Sequence, residues 1–328
     1  MIVLYTWFKR IHFGKWKDRK DWQAHLEKVC RRWVFHMPVI PVTDNGRNLL
    51  PIRHKNENVQ SWQYAGLLFG LDESFSEQFL GAFPDSLKSP TVDKALLAYV
   101  LFKKNQLSKE GLLDFARQLN ADSGHTVPYQ RALPDIRYVD AIGMLVPFLA
   151  ACGMQDAAIA QLKEYDVALL NGVIPPHAYD IKRGLPLGVY DWSRGLGWYI
   201  LGITESSQLD GCSEKIVRLA EEMMNFRLPN GGLGSMFFSP TRIESSGTAM
   251  LGILFVKAFD ITGRKEYLDA AVKSEQALMH ITRRDGVLDY GQGDTVGIGM
   301  YSRRFDILPF AQGMALRLSK ELDLRLKL

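Results

Sequence analysis

The sequence predicts an all-α fold in which pairs of helices are arranged in a closed ring. Apolar residues recur at steps of three and four through most of the chain, whereas the alternation typical of strands is scarce. Helices that are apolar on nearly every side alternate with helices that carry a polar stripe, which predicts an inner and an outer layer. Six hairpins of about 55 residues use all 328 residues. We therefore predict one (α/α)6-barrel domain over residues 1–328.

The helical periodicity defines eight segments in chain order. They are Asp93–Lys103, Tyr138–Cys152, Asp156–Leu170, Gly195–Ile203, Lys215–Phe226, Ser246–Ile261, Lys265–Ile281 and Phe310–Leu322. Five helices begin with small or polar residues and continue as the apolar bodies ALLAYVLF, AIGMLVPFLA, LGWYILGI, AMLGILFV and MALRL. These starts are about 50 residues apart, as expected for the inner helices of successive hairpins. The Gly-, Pro- and Asn-rich pieces between helices, such as LPNGGLG, NGVIPP and GQGDTVGIG, predict loops.

Composition and charge exclude several classes of protein. No apolar run reaches the ~18–20 residues that span a bilayer. The net charge is only +4, and the basic run Lys15–Lys20 is interrupted by an aromatic and an acidic residue, as on a solvated helix face. We therefore expect neither a nucleic-acid nor a membrane partner. The opening MIVLYTWF is followed by Lys9 and Arg10 without a cleavage site, so we expect a cytoplasmic protein.

The sequence indicates neither a metal nor an organic cofactor. Cys30, Cys152 and Cys212 are widely separated, which is typical of reduced structural thiols. The histidines form no HExxH pattern, and the glycines of GQGDTVGIG lack both a preceding strand and a GxxxxGK[ST] motif.

Asp140 is the most informative carboxylate. It lies where a polar loop becomes a strongly apolar helix, and Asp93 lies at the corresponding start of the preceding inner helix. An acidic residue at a helix start is commonly a cap or a favourable first-turn charge. A carboxyl among apolar residues also has a raised pKa, and two convergent carboxyls suit glycoside chemistry. Because inner helix starts gather at one end of a barrel, we predict a pocket there for an anionic or hydroxyl-rich ligand.

Two other segments gather polar and aromatic residues. The segment Pro176–Trp198 contains His177, Arg194 and Trp198, the last two on one helix face. Aromatic rings suit sugars and Arg suits a carboxylate, although a structural Trp–Arg stack is the alternative interpretation. The segment Arg242–Thr248 (RIESSGTA) places hydroxyls at a helix start, where helix capping alone explains them.

Several motifs, in order along the chain, resemble glycoside hydrolase families 88 and 105, the unsaturated glucuronyl and rhamnogalacturonyl hydrolases. YVDAIGMLVPFLAACG resembles the family's YVDxxGMxxPFLAxYG, PHAYD resembles PxHxYD, and WSRGLGWYILGI resembles WGRGxGWxxLGL. SSGTAML, GQGDTVGIGMYS and PFAQGMALRL resemble later family motifs. The resemblance runs from about Asp93 to the C-terminus, and residues 1–55 carry the weakest similarity.

The resemblance implies an (α/α)6 barrel that removes a 4,5-unsaturated uronic acid from the non-reducing end of short oligosaccharides. In that reaction an Asp protonates C4 of the double bond and water adds at C5. Asp140 matches the proton donor and Asp93 the second carboxylate. Ligand contacts are implied for Trp62, Tyr129, Arg131, His177, Arg194 and Trp198. No metal or cofactor is implied.

Two other functions remain open from the sequence. A polysaccharide lyase-like barrel would use a base to create the double bond that a hydrolase consumes, and a non-catalytic barrel would bind carbohydrate without turnover. The uronic acid epimer, the linked sugar and the source polysaccharide are not specified, and both a monomer and a homodimer are compatible with the sequence.

Overall fold

The computed structural model describes residues 13–38, 57–72, 87–121, 126–170, 172–239, 241–295 and 297–326. Most of the weakly similar stretch 1–55, including the opening MIVLYTWF, lies outside these ranges. The helices are α1 Arg19–Phe35, α2 Glu57–Gly70, α3 Val92–Lys103, α4 Lys109–Gln118, α5 Val139–Cys152, α6 Gln155–Asp166, α7 Ser193–Glu205, α8 Cys212–Met223, α9 Ser245–Thr262, α10 Lys265–His280 and α11 Pro309–Leu326. The strands are β1 Ile136–Tyr138, β2 Ala178–Asp180, β3 Leu185–Leu187, β4 Gly291–Gln292 and β5 Phe305–Asp306.

Six helices form the inner ring of the barrel. Each of α2, α3, α5, α7, α9 and α11 packs against the next, and α11 packs against α2, so the ring is closed. At this closure a Cβ on Gly313 would lie 1.9 Å from the carbonyl oxygen of Gly66. Only glycine allows the two backbones to approach this closely. The predicted ring of hairpins is therefore present.

Burial separates the inner helices from the outer ones as the periodicity predicts. In α5 every residue is buried except Asp140, Ala150 and Ala151. The outer helices α1, α4, α6, α8 and α10 pack against the ring on one side. In α8, for example, the buried residues follow helical spacing, and charged residues occupy the other face. The described residues contain no helix that is both long and apolar enough to cross a membrane.

The eight predicted helices are all present, and their boundaries differ by a few residues. The largest differences are four residues: α11 continues to Leu326 rather than Leu322, and α6 ends at Asp166 rather than Leu170 because the chain then turns into a bridge between Leu170 and Ile174. The basic run Lys15–Lys20 mostly precedes α1, whose N-cap is Asp18. All three cysteines are buried and unpaired by disulfides, as expected.

A small antiparallel sheet of β1, β2 and β3 joins the starts of two hairpins. Tyr138 pairs with Ala178, and the N–H of Val139 donates to the carbonyl of His177 at 2.9 Å. This pairing fixes His177 beside the first turn of α5. A second sheet pairs β4 with β5, with Gln292 opposite Phe305. Both sheets lie where inner helices begin, so they position the candidate site.

Candidate active site

Asp140 and Asp93 occupy the first turns of α5 and α3, at the same end of the barrel. The N-cap of α5 is Tyr138, so Asp140 is not the cap. The Oδ2 atom of Asp140 is buried and has no hydrogen-bond partner among the described residues. The pKa of Asp140 is raised to about 7, mainly by burial and in part by the negative charges of Asp93 and Asp294, while a backbone hydrogen bond and the charge of Arg194 act in the opposite direction. Asp140 is thus a carboxyl that holds a proton near neutral pH.

Asp93 is the more strongly hydrogen-bonded of the two carboxyls. Burial raises its pKa to about 6, while a hydrogen bond from Tyr129 lowers it. The Tyr129 hydroxyl donates to Oδ1 of Asp93 at 2.5 Å, and its ring lies 5.4 Å from that of Tyr138. Two carboxyls with different environments are equipped for different proton-transfer roles.

His177 faces Asp140 as a neutral imidazole. Its Nε2 lies 3.9 Å from Oδ2 of Asp140, and its Nδ1 lies 3.0 Å from the hydroxyl of Tyr301. Burial lowers the pKa of His177 to about 4, and the charge of Arg194 adds to this effect. The Tyr301 oxygen accepts the N–H of Val189, so its own proton is available to Nδ1. In that tautomer Nε2 carries the proton that points toward Asp140.

Arg194, in the first turn of α7, is a buried cation that holds the chain after β4. Its guanidinium donates to the carbonyls of Gln292 and Gly293, the latter at 2.9 Å, and lies 5.3 Å from the ring of Trp192. One of its nitrogens is 3.9 Å from Oδ1 of Asp294. Its charge therefore lies inside the site, where it opposes the raised pKa of Asp140.

The loop after β4 is also held by Glu244. Gln292 donates its backbone N–H to Oε1 of Glu244 at 3.1 Å, accepts from the Trp192 indole at 3.0 Å, and donates its side-chain amide to Ser302 at 2.8 Å. Glu244 is the N-cap of α9 and accepts from the backbone of Gly247 at 2.6 Å. The capping interpretation of RIESSGTA is therefore confirmed, with Glu244 rather than a hydroxyl as the cap.

Sequence reasoning missed three members of this site: Asp294, Tyr301 and Glu244. Asp294 and Tyr301 belong to GQGDTVGIGMYS, a segment that the family resemblance identified without assigning a role to either residue. Their placement depends on the pairing of β4 with β5. Strands of two residues are too short to be recognised from the sequence.

The two predicted sugar-stacking tryptophans lie in the barrel interior. The rings of Trp62 and Trp198 are 5.6 Å apart, and Phe310 lies 4.7 Å from Trp198. Trp62 is 7% exposed and Trp198 only 2%, so each presents little area to a ligand here. Trp198 follows Arg194 by one helical turn, and its proposed contact with substrate stays a prediction.

A cavity of about 840 Å³ lies beside the carboxyls, at the start of α3. Tyr129 and Arg131 both line it, whereas Asp93 and Asp140 do not. Tyr129 connects the two regions because its hydroxyl binds Asp93. Arg131 is exposed and donates to the carbonyl of Gln118 at 3.3 Å. The volume is in the range of small-molecule sites. Among the described residues the lining mixes apolar and polar side chains with the cation Arg131, which suits a hydroxylated or anionic ligand with an apolar face.

Comparison with solved structures identifies the fold. The chain is similar to a possible member of the GH105 family from Salmonella enterica, with a TM-score of 0.75 and 15% identity over 96% of each chain. It is also similar to an unsaturated glucuronyl hydrolase from Bacillus sp. GL1, with a TM-score of 0.68 and 19% identity over 92% of this chain and 95% of that chain. A polysaccharide lyase matches with a TM-score of 0.66 and 13% identity over 94% of this chain and 98% of that chain.

These similarities show that the chain has the (α/α)6-barrel fold, as the sequence predicted. No family model and no curated protein matches the sequence. Because a hydrolase and a lyase both share this fold, the activity has to be argued from the site.

Proposed function

We propose that this protein is a glycoside hydrolase that removes a 4,5-unsaturated uronic acid from the non-reducing end of short oligosaccharides. The observation that carries the proposal is the Asp140 carboxyl, which is buried, has an unpartnered Oδ2 and a pKa of about 7. Protonation of a carbon is slow, and an acid that keeps its proton near neutral pH in an apolar setting suits that step. The sequence motifs and the barrel fold support the same activity.

In the proposed reaction Asp140 donates its proton to C4 of the double bond, whose π electrons form the new C–H bond. The positive charge that develops at C5 is shared with the ring oxygen. Water then adds at C5 and gives a proton to the Asp140 carboxylate, so the acid is restored. The C5 hemiketal opens, and the resulting hemiacetal at C1 releases the remaining sugar and leaves a keto-uronate.

The neighbouring residues have complementary roles in this proposal. Neutral His177 directs its Nε2 proton toward Asp140 and stabilises the carboxylate after proton transfer. Arg194 supplies the buried positive charge for the uronate carboxylate. Asp93 is the second carboxyl and is available to orient the water. Stacking of a sugar on Trp62 or Trp198 stays a prediction, because both rings are almost fully buried.

The cavity beside Tyr129 is proposed to receive the next sugar of the substrate. Tyr129 lines this cavity and also donates its hydroxyl hydrogen bond to Asp93. Among the described residues that line it, Arg131 is the one charged side chain. We therefore expect substrates with an acidic group on that sugar to be favoured, and Arg131→Ala to raise KM for them more than for neutral disaccharides.

A lyase is the second candidate, because the solved polysaccharide lyase shares the fold. A lyase needs an unprotonated base to remove the C5 proton. Burial favours the protonated form of Asp140, and it lowers the pKa of His177 to about 4, so the neutral imidazole is a weak base. The state of Asp140 therefore favours proton donation over proton abstraction at neutral pH.

Ultraviolet absorbance of the conjugated double bond tests the proposal directly. The protein is incubated with a panel of unsaturated disaccharides and, separately, with the parent polysaccharides. Absorbance falls on a disaccharide for a hydrolase and rises on a polymer for a lyase. Binding without any absorbance change, measured by calorimetry on the same panel, would instead support a non-catalytic barrel.

A further inference from the structure

Asp294 is a third carboxyl of the site, and the chain that carries it is rigidly held. The two residues before Asp294 are held by hydrogen bonds to several neighbouring segments. Gln292 accepts from Arg194 and donates to Glu244, while the N–H of Gly293 donates to the carbonyl of Arg304 at 2.9 Å. Backbone fixed in this way gives the next side chain a defined position.

The Asp294 carboxylate faces the site rather than the outer surface. Its Oδ1 is 3.9 Å from the Arg194 guanidinium, and the side chain is 21% exposed. Its negative charge acts on Asp140, on Asp93 and on the Tyr129 hydroxyl. The three carboxyls reach the site from separate elements, namely α3, α5 and the loop after β4.

We propose that Asp294 is a positioning residue that holds the Arg194 guanidinium toward the β4 loop and keeps the Asp140 carboxyl in its protonated form. The catalytic part of this inference rests on the proposed function, in which the proton held by Asp140 is the one transferred to the substrate. The effect of Asp294 on the protonation of Asp140 does not depend on that function. Without Asp294, the positive charge of Arg194 would act on Asp140 with less opposition, and a like charge near Asp140 would be lost, so the acid would ionise more readily.

Several other ionisable groups act on Asp140. Burial has the largest effect on its pKa, Arg194 lowers the pKa, and Asp93 raises it as Asp294 does. The remaining groups that face it are neutral at pH 7: His177, Tyr129, Tyr138, Tyr165 and Tyr301. Among the charged groups of the described residues, only Asp294 has both properties: its carboxylate lies 3.9 Å from Arg194, and its charge opposes ionisation of Asp140.

Carbon-13 NMR of protein labelled at the aspartate carboxyls tests the inference without substrate. The Asp140 resonance is assigned by its absence in Asp140→Asn, and its titration is compared between the wild type and Asp294→Asn. We expect the Asp140 midpoint to fall by about half a pH unit or more in Asp294→Asn, because a like charge is lost and the charge of Arg194 is opposed less. Asp294→Glu, which keeps the charge, is expected to restore most of the wild-type midpoint.

Asp306→Asn is the matched control. Asp306 lies on β5, which pairs with the strand β4 that precedes Asp294, but the Asp306 carboxylate accepts a hydrogen bond from Arg283 at 2.9 Å. Its removal is expected to leave the Asp140 midpoint unchanged. An unchanged midpoint in Asp294→Asn, or an equal shift in the control, would overturn the inference. Thermal unfolding checks that each variant is folded.

The same variants separate this inference from the proposed function. If both hold, the alkaline limb of the pH–rate profile moves to lower pH in Asp294→Asn by the amount seen in the titration. Turnover without a change in the Asp140 midpoint would overturn the role of Asp294 alone. A shifted midpoint in a protein that acts on no unsaturated disaccharide would overturn the proposed function and leave the role of Asp294 standing.

Discussion

The pH dependence of turnover depends directly on the burial of Asp140. The ordinary pKa of an Asp is 3.8, at which about 1 in 1,600 carboxyls is protonated at pH 7. With the pKa raised to about 7, half of the Asp140 carboxyls carry a proton at that pH. Burial therefore increases the amount of usable acid about 800-fold at neutral pH.

The role of each carboxyl determines whether kcat/KM falls on the alkaline or on the acidic side of its pH profile. Asp140 has to be protonated, so kcat/KM falls about tenfold per pH unit above 7, to about 1% of its maximum at pH 9. If Asp93 acts as an ionised carboxylate, kcat/KM also falls as the pH drops below about 6. We expect a narrow maximum between these values in kcat/KM measured by absorbance loss from pH 4.5 to 9.5. A profile that stays flat or rises above pH 8 would refute the assignment of Asp140 as the acid.

Three substitutions extend the account to the surrounding structure. Tyr129→Phe removes the hydrogen bond that lowers the pKa of Asp93, so the acidic limb of kcat/KM is expected to move to higher pH. Glu205→Gln removes the nearer of two carboxylates from the buried guanidinium of Arg317 and leaves Glu321 at 3.9 Å, and urea unfolding is expected to show a loss of about 3 kcal/mol. Gly313→Ala places a methyl group 1.9 Å from a backbone oxygen of α2, and a loss of about 2 kcal/mol or more is expected in the same assay.

Matched controls separate these effects from general damage. Glu221→Gln removes an exposed carboxylate that pairs with Arg264, and it is expected to change the free energy of unfolding by under about 1 kcal/mol. Gly297→Ala adds a methyl group that meets no atom of the described residues within 4 Å, its chain neighbours aside, so it is expected to be nearly neutral. Equal losses in a variant and its control, or an unchanged acidic limb in Tyr129→Phe, would contradict the corresponding argument.

Much of the fold could be predicted because the inner helices have an unusual composition. In α5 and α9 the apolar residues leave almost no polar stripe, and such helices are stable only when neighbours cover every side. The order of the polar starts then placed Asp93, Asp140 and Arg194 at one end. These signals are local in the sequence, so the closed ring of helices could be predicted without knowledge of contacts between distant segments.

The parts that could not be predicted depend on contacts between distant segments. Strands of two or three residues, such as β1 and β4, are too short for a period of two to be recognised. Asp294 follows one of these strands, and its role depends on the interaction with Arg194, 100 residues earlier in the chain. The capping carboxylate of Glu244 was missed because the adjacent hydroxyls satisfied the usual capping pattern.

The central claim is that Asp140 supplies the proton, and Asp140→Asn tests it most directly. The variant and the wild type are compared by absorbance loss on the best disaccharide of the panel, with binding measured by calorimetry. Asp180→Asn serves as the control. Asp180 lies on β2, which pairs with the strand β1 that leads into Asp140, but its carboxylate accepts a hydrogen bond from Arg183 at 2.7 Å. The account predicts that Asp140→Asn loses about 100-fold or more in turnover and still binds substrate, while the control remains active. Turnover at the wild-type rate in Asp140→Asn would contradict it.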